Sequence, residues 1–403
     1  MQLFNFYHHH HAVRNLLKDD FWLFELSIWL HVVARSLISI FIPILLLQMG
    51  FSLNLVIGYF FLSHLINIPL NFVAGDLVRR IGARWVIVLS NLAIIGYFIT
   101  FGALTPGDTI LLAVLAMLAA LYDALYWVSH LYLFIKSNDD PKKTNGKTGA
   151  LYSAKQVATM VGPVIGALIL TFGNQTMLLG ASITIFFVSI VPLVYVDQFA
   201  DKPTEWDRFS SFFNFFKNPV EKNNFISNGL FGIHGFSEYV LWPVFIFLVF
   251  QSIESVAVVP VLIAGTTIAF SLFTRRINAR TREKLIMSGS LALALIWIAR
   301  LAIDWQPFYY ISIVLVGVFA LFVSIPLDSN LFVRARRIDP LKTAVLKNAT
   351  SMSMKLVIFI GIFFFANVFE TAFAITIIAL LALAAVNVYF MTADSEDFDA
   401  LLG

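Results

Sequence analysis

Residues 79–84 read Arg-Arg-Ile-Gly-Ala-Arg, and 196 positions further along the chain residues 275–280 read Arg-Arg-Ile-Asn-Ala-Arg. Each copy lies between two long apolar segments, so each predicts a tight basic turn that joins a pair of membrane helices. A repeat at this range indicates that the chain consists of two halves built alike. Paired halves of this kind are typical of membrane transporters.

Composition places the chain in a membrane. Hydrophobic residues make up 59%, charged residues make up 13%, and the mean hydropathy is +0.84. Continuously apolar runs of about twenty residues, the length that spans a bilayer as an α-helix, lie at 22–48, 52–78, 85–104, 109–135, 149–172, 176–196, 223–250, 255–274, 285–303, 308–333, 343–365 and 371–392. They lack the period-two alternation of a membrane barrel. The sequence therefore predicts an all-α integral membrane protein with twelve transmembrane helices in two pseudo-symmetric six-helix bundles.

Lysine and arginine are concentrated in alternate connections between these runs. Connections 48–54 and 251–254 contain none, whereas 136–147 and 202–222 contain several. The positive-inside rule then predicts that both termini are cytoplasmic, in the plasma (inner) membrane. The predicted units are a tail (1–21), a first bundle (22–197), a linker (198–222), a second bundle (223–392) and an acidic tail (393–403). Aromatic residues at helical spacing from Trp206 to Phe216 predict either an interfacial helix in the linker or a solvated linker.

Several classes of function have no support in the sequence. The chain contains no cysteine, which excludes disulfides and thiolate metal sites. It shows no metalloprotease, nucleophile-elbow or complete phosphate-loop pattern. We therefore expect no enzyme, no cofactor, no metal site and no nucleic-acid partner, and we interpret the histidine run at 8–11 as a tail. The expected partners are the lipid bilayer, a small-molecule substrate and a coupling proton, and the protein is expected to be a monomer.

Further matches between the halves occur in the same order along the chain. His31 and Arg35 in the first helix correspond to His234 and Glu238 in the seventh, four residues apart in both cases. Lys155 in the fifth helix corresponds to Lys355 in the eleventh. The near-constant offset indicates that equivalent residues lie at equivalent depths in the two halves.

The stretch 75–84 resembles the cytoplasmic signature of the major facilitator superfamily, in which glycine is followed by aspartate, arginine, a second glycine and basic residues. The resemblance extends over essentially the whole chain, and it implies alternating access around a central cavity between two six-helix halves. The family's aspartate latches the outward-facing state, but Arg79 stands at its position here and Asp76 supplies an acid nearby. We assign conformational gating to Gly75, Asp76, Arg79, Arg80, Gly82 and Arg84, and to Arg275, Arg276 and Arg280 of the second turn.

Small residues on the fifth helix resemble a pattern that the same family associates with antiporters. They are Gly149, Gly162, Pro163 and Gly166, and alanine replaces two of the expected glycines. Small residues at this spacing also allow helices to approach closely. The pattern predicts either antiport or simple helix packing.

Ionisable and polar side chains within the predicted helices are candidates for the central cavity, because such groups are costly in a membrane unless they face a cavity or a partner. The candidates are His31, Arg35, His64, Asn67, Asp123, Tyr126, Trp127, His130, Lys155, His234, Glu238, Trp242, Asp328 and Lys355. In the resembled fold, helices one, four, seven and ten line the cavity.

Pseudo-symmetry suggests that Arg35 and Glu238 approach each other across this cavity. A buried glutamate beside an arginine predicts either a proton switch, assisted by His31 and His234, or a static salt bridge. Lys155 and Lys355 beside Arg35 would suit a carboxylate or phosphate, unless acidic residues already pair with them.

The sequence therefore predicts a secondary active transporter for a small organic solute, with proton antiport as the first expectation. Symport or uniport of an organic anion is the alternative within that class. A membrane sensor or scaffold without transport is the alternative of another class.

Overall fold

The protein is described from a computed structural model that covers residues 20–137, 141–195, 219–271, 279–337, 339–365 and 367–402. Its helices, numbered in chain order, are α1 (Asp20–Ile38 and Ile42–Gln48), α2 (Leu53–Ile81), α3 (Ala83–Gly102), α4 (Thr109–Ser137), α5 (Pro141–Phe172), α6 (Gln175–Val194), α7 (Pro219–Phe236, a π-helical turn Ser237–Leu241, and Trp242–Phe250), α8 (Ile253–Ser271), α9 (Ala279–Ala302), α10 (Gln306–Arg337), α11 (Pro340–Phe364) and α12 (Val368–Leu402). The histidine run at 8–11, the predicted linker helix at 206–216, and Arg275 and Arg276 lie outside the described residues.

The prediction of a helical membrane protein is confirmed. Within the described ranges, eleven of the helices contain a segment long and apolar enough to cross a bilayer, and the described apolar part of α5, Val157–Phe172, is shorter. Helix α1 packs against α5 and α6 as α7 packs against α11 and α12, and α4 packs against α2 and α3 as α10 packs against α8 and α9. The helices therefore form two bundles of the same design, which meet where α2 and α4 contact α11 and where α5 contacts α8.

The first helix of each bundle is interrupted just before a proline. Helix α1 breaks between Ile38 and Ile42, ahead of Pro43, and the π-helical turn of α7 ends at Leu241, two residues before Pro243. Proline has no N–H to donate to the preceding turn and its ring clashes with the carbonyl of that turn, so regular helix is disfavoured there. Single π-helical turns often mark functional positions, and this one contains Glu238.

The basic turn at residues 79–84 is as tight as predicted. Helix α2 ends at Ile81 and α3 begins at Ala83, and Gly82 between them has a φ of +87°. Glycine adopts this left-handed conformation without the steric cost that a Cβ would impose. We call the end of the bundles that holds this turn the basic side, and the end that holds the connection from Gln48 to Leu53 the opposite side. Gly75 and Asp76 are buried one to two turns before Gly82.

Two glycines on α5 serve helix packing. A Cβ added to Gly162 would overlap the side chain of Ser36, and one added to Gly166 would overlap the carbonyl oxygen of Leu37. In the second bundle the roles of the helices are exchanged, because glycines of α7, exemplified by Gly232, face Ser351 of α11. Close packing of α1 against α5 therefore accounts for Gly162 and Gly166. The surroundings of Gly149 lie outside the description.

Candidate functional site

Charged side chains from three helices lie near one another at the middle of the bilayer-spanning region. Asp123 lies fourteen residues from each end of α4, and Arg35 and Lys355 lie near the midpoints of α1 and α11. All three side chains are partly buried, and the charges of Arg35 and Lys355 both act on the Asp123 carboxylate. Because α11 belongs to the second bundle, this cluster joins the two halves. We call Arg35, Asp123 and Lys355 the central cluster.

Asp123 is held in place by neighbours of its own half. Its Oδ2 accepts a hydrogen bond of 3.0 Å from Nδ2 of Asn67, which also lies fourteen residues from each end of its helix. The side chain of Trp127, one turn further along α4, lies beside the carboxylate. The carboxylate therefore faces the interface between the halves with a fixed orientation.

The two cations of the central cluster keep most of their donor capacity. The Arg35 guanidinium lies 5.5 Å from the centre of the Trp127 ring, and Lys355 Nζ approaches Met352 Sδ at 3.9 Å. Within the described residues, no carboxylate oxygen lies within 4.0 Å of either cation. A guanidinium offers five N–H donors and an ammonium three, so both groups can accept an additional anionic partner.

His64 borders the central cluster from α2. Its Nδ1 donates a 2.7 Å hydrogen bond to the Phe60 carbonyl, and its ring packs against Phe236 and Phe359 of the second half. Since Nδ1 is used as the donor, Nε2 of the neutral ring is the atom left to accept a hydrogen bond. His64 thus contributes an acceptor and an aromatic wall beside Lys355, whose charge acts on it.

The predicted contact between Arg35 and Glu238 is wrong. Both carboxylate oxygens of Glu238 bind Arg300 of α9, Oε2 with Nη1 at 2.5 Å and Oε1 with Nη2 at 3.1 Å. The side chains of Arg300 and Glu238 are 0% and 1% exposed. Glu238 pairs within its own bundle because Arg300, on the neighbouring helix α9, is closer to it than Arg35 of the other half is.

Aromatic and hydroxyl groups complete the shell around this buried pair. Trp242 and Trp297 place their rings 3.8 and 4.5 Å from the Arg300 guanidinium carbon, and Arg300 Nε donates to Ser312 Oγ at 2.8 Å. Trp297 Nε1 donates to Nδ1 of His234 at 3.0 Å. The candidates His234, Glu238 and Trp242 therefore belong to one buried network inside the second bundle.

His31 is likewise satisfied inside its own bundle. Its Nδ1 lies 2.9 Å from Asn91 Oδ1, and its Nε2 lies 2.8 Å from the Tyr122 hydroxyl. Tyr126 is sandwiched between this ring, at 3.8 Å, and that of His130, at 5.3 Å. Both ring nitrogens of His31 are engaged, which gives this residue a packing role next to the central cluster.

Of the remaining charged candidates, Asp328 lies away from the cluster. Asp328 accepts a 2.7 Å salt bridge from Lys347, and their side chains are 45% and 25% exposed. Asp328 is nine residues from the end of α10 that lies on the basic side, well away from the midpoint of its helix. The side chain of Lys155 lies outside the description, as does that of Arg280. Among the described residues no group of histidines and acids is arranged to hold a metal ion.

Arg300 and Asn348 are polar residues that sequence reasoning missed, whereas Asn71 shares a face of its helix with His64 and Asn67 in the sequence. Arg300 lies in a run of apolar residues close to the end of its helix, where an arginine can also extend its charge to the membrane surface. Its position inside a span was nevertheless a signal, since an intramembrane arginine needs a partner. Asn348 carries no charge and gave no comparable signal.

Comparison with known proteins agrees with this architecture. The sequence profile described as the Major Facilitator Superfamily matches residues 25–337, so the chain belongs to this superfamily of membrane transporters. No curated protein sequence matches significantly.

Two solved structures resemble the fold along nearly its whole length. A bacterial homologue of the iron transporter ferroportin, in an outward-facing state, has a TM-score of 0.70 and 15% identity, covering 92% of this chain and 98% of that chain. A single-residue mutant of the nucleoside transporter NupG has a TM-score of 0.66 and 11% identity, covering 92% of this chain and 99% of that chain. At these identities the likeness shows the fold alone.

Proposed function

We propose that this protein is a secondary active transporter that moves a small organic anion across the membrane by alternating access. The observation that carries the proposal is the central cluster, in which Arg35 and Lys355 come from opposite halves and retain free donor capacity. A carboxylate or phosphate bridging these two cations would contact both halves at once. A ligand that binds both halves favours the conformations in which they are closed around it.

The charges of the cluster support an anionic substrate. Arg35 and Lys355 carry two positive charges and Asp123 one negative charge, so ionisation of all three leaves an excess of one positive charge. Charge-assisted hydrogen bonds to carboxylate or phosphate are about twice as strong as neutral ones. The indole of Trp127 and the ring of His64 add a partly aromatic wall for the organic part of the substrate.

For proton coupling, the geometry favours Asp123 over Glu238. Glu238 is fully buried and uses both oxygens on Arg300, whereas Asp123 is partly exposed at the interface between the halves. A substrate anion bound beside Asp123 is repelled by the ionised carboxylate and not by the protonated one. Anion and proton would then bind together, which supports symport over the antiport expected from the sequence.

Orientation and assembly are proposed on simpler grounds. We propose that the basic side faces the cytoplasm of the plasma (inner) membrane, following the positive-inside rule. The central cluster is complete within one chain, which supports a functional monomer. The basic residues around Gly82 are proposed to gate the basic side, where they form a corner of the first bundle.

A panel of ligands tests the proposal. The purified protein is heated with lactate, succinate, benzoate or glycerol phosphate, and in parallel with neutral amides and cationic amines of similar size. A ligand that binds the native state raises the unfolding temperature, so stabilisation by anions alone is expected. Stabilisation by the neutral or cationic compounds alone would contradict the organic-anion function. A flux measurement in proteoliposomes separates a transporter from a sensor or scaffold, which would bind a ligand without moving it across the membrane.

A further inference from the structure

We infer that three asparagines form a relay that couples the charge of Asp123 to closure of the transporter on its basic side. The relay consists of Asn67 and Asn71 on α2 and Asn348 on α11. The inference rests on the proposed function for its role in transport, and it adds a positioning role for Asn71 and Asn348, which touch no part of the central cluster directly.

The hydrogen bonds of the relay form a continuous chain. Asn348 Nδ2 donates to Asn71 Oδ1 at 2.5 Å, and Asn71 Nδ2 donates to Asn67 Oδ1 at 2.7 Å. Asn67 Nδ2 then donates to Asp123 Oδ2 at 3.0 Å. Asn67 and Asn71 are 1% and 0% exposed, so water does not compete for the bond between them, and Asn348 and Asp123 at the two ends of the relay are partly buried.

All three amides are oriented in the same direction. Each N–H₂ group points towards Asp123 along the series of hydrogen bonds. The amide oxygen of Asn71 accepts from Asn348, and that of Asn67 accepts from Asn71. Aligned hydrogen bonds polarise one another in a low-dielectric interior, and a carboxylate acceptor makes the last bond charge-assisted. Ionised Asp123 therefore strengthens the distant bond from Asn348 to Asn71, and a neutral side chain at position 123 weakens it.

The distant bond lies where closure on the basic side is decided. Asn71 is ten residues from the end of α2 on the basic side, and Asn348 is eight residues from that end of α11. A second hydrogen bond between the halves joins Thr171 to Glu254 at 2.9 Å. It lies on the opposite side, where α5 ends and α8 begins. Each side of the membrane thus has a hydrogen bond that links the halves, and the one on the basic side connects to Asp123.

This arrangement gives the relay a direction. With Asp123 ionised, the halves are held together on the basic side. When Asp123 is neutralised, as the co-binding of a proton proposed above would do, that contact weakens and the basic side opens more readily. The relay would then couple the protonation of Asp123 to the side of the membrane from which the central cluster is accessible.

A distance measurement in the absence of any solute tests the relay. Because the chain has no cysteine, Ile81→Cys and Lys284→Cys place spin labels at two exposed positions on the basic side of opposite halves. The ratio of open to closed populations is read from the label distances, for Asn348→Ala in the wild-type background and in the Asp123→Asn background. Asn228→Ala, which removes an amide bonded within α7, is the matched control.

The relay predicts that the two substitutions are not additive. Asn348→Ala should raise the open-to-closed ratio about fivefold when Asp123 is present, the size expected for loss of a hydrogen bond between two neutral amides, and less than about twofold in Asp123→Asn. Asn67→Ala, which interrupts the series of hydrogen bonds but leaves the bond between the halves, should make the effect of Asn348→Ala the same with and without Asp123→Asn. The Asn228→Ala control should leave the ratio unchanged.

Equal effects of Asn348→Ala in both backgrounds would overturn the inference, because they would show an ordinary structural contact. So would an unchanged ratio in the wild-type background. Since no solute is added, this result does not depend on whether the transported solute is an anion. A protein that fails to bind anions but shows the non-additive opening would refute the proposed function and leave the relay in place.

Discussion

Arg35 and Glu238 occupy equivalent positions in the two halves, four residues after His31 and His234, but their surroundings differ. Arg35 is partly exposed at the interface between the halves, with Asp123 and Lys355 nearby. Glu238 is sealed inside the second bundle by a bidentate contact with Arg300. The comparison teaches that symmetry in sequence preserves the position of a charge but does not preserve its role.

The difference follows from the partners that each half supplies. In the second bundle every nitrogen of the Arg300 guanidinium and both oxygens of Glu238 have a hydrogen-bond partner, and two indole rings cover the pair, so changing partners would expose unpaired charges. In the central cluster the cations come from the two halves, which the proposed alternating access would move relative to each other, and their donors are not fully used by the described residues. We therefore interpret the Glu238 network as a structural element and the central cluster as the site that changes state.

The largest expected effect comes from breaking the buried pair. Arg300→Met leaves the Glu238 carboxylate buried without its partner, and the free energy of unfolding should fall by about 3–5 kcal/mol. The measurement is denaturant unfolding in mixed micelles. The double variant Arg300→Met with Glu238→Gln should recover most of this loss, because the uncompensated charge is gone. Equal stability of the wild type and the single variant would contradict a structural role for the pair.

A second prediction sharpens the contrast at Asp123. Asp123→Asn removes a charge from the partly exposed cluster while keeping the shape of the side chain, so we expect the protein to remain folded. Uptake of the anion into proteoliposomes should lose its dependence on a pH gradient, because the group that takes up the proton is absent. Proton flux that still accompanies uptake in Asp123→Asn would place coupling elsewhere. Glu238→Gln, with its expected loss of stability, is the comparison variant.

The smallest expected effect concerns packing in the first bundle. Gly166→Ala places a methyl group against the carbonyl oxygen of Leu37, and such overpacking costs about 1–3 kcal/mol. The control is Gly180→Ala, since a Cβ at Gly180 meets nothing within 4 Å. Unfolding measurements should show a loss for the first variant and none for the second. If the two variants were equally stable, the close approach of α1 and α5 would not be required for the fold.

The sequence predicted the helices and the tight turn because both depend on local properties. Apolar length decides where a chain crosses a membrane, and Gly82 between two helices marks a turn that few other residues allow. The Arg35–Glu238 contact depended instead on which helix faces meet, and a pattern within one helix does not contain that information. The same limit applies to Arg300. Its place in an apolar run indicates a position in the membrane but does not identify Glu238 as its partner.

The central claim, that Arg35 and Lys355 together bind an organic anion, is tested most directly by equilibrium binding. The affinity of the best anion from the ligand panel is measured by calorimetry for wild type, Arg35→Gln and Lys355→Gln, with Lys347→Gln of the same helix as control. Each cluster variant should weaken binding at least about tenfold, as loss of a charge-assisted contact implies, and the control should bind as wild type does. Wild-type affinity in both cluster variants, with the protein folded, would contradict the claim.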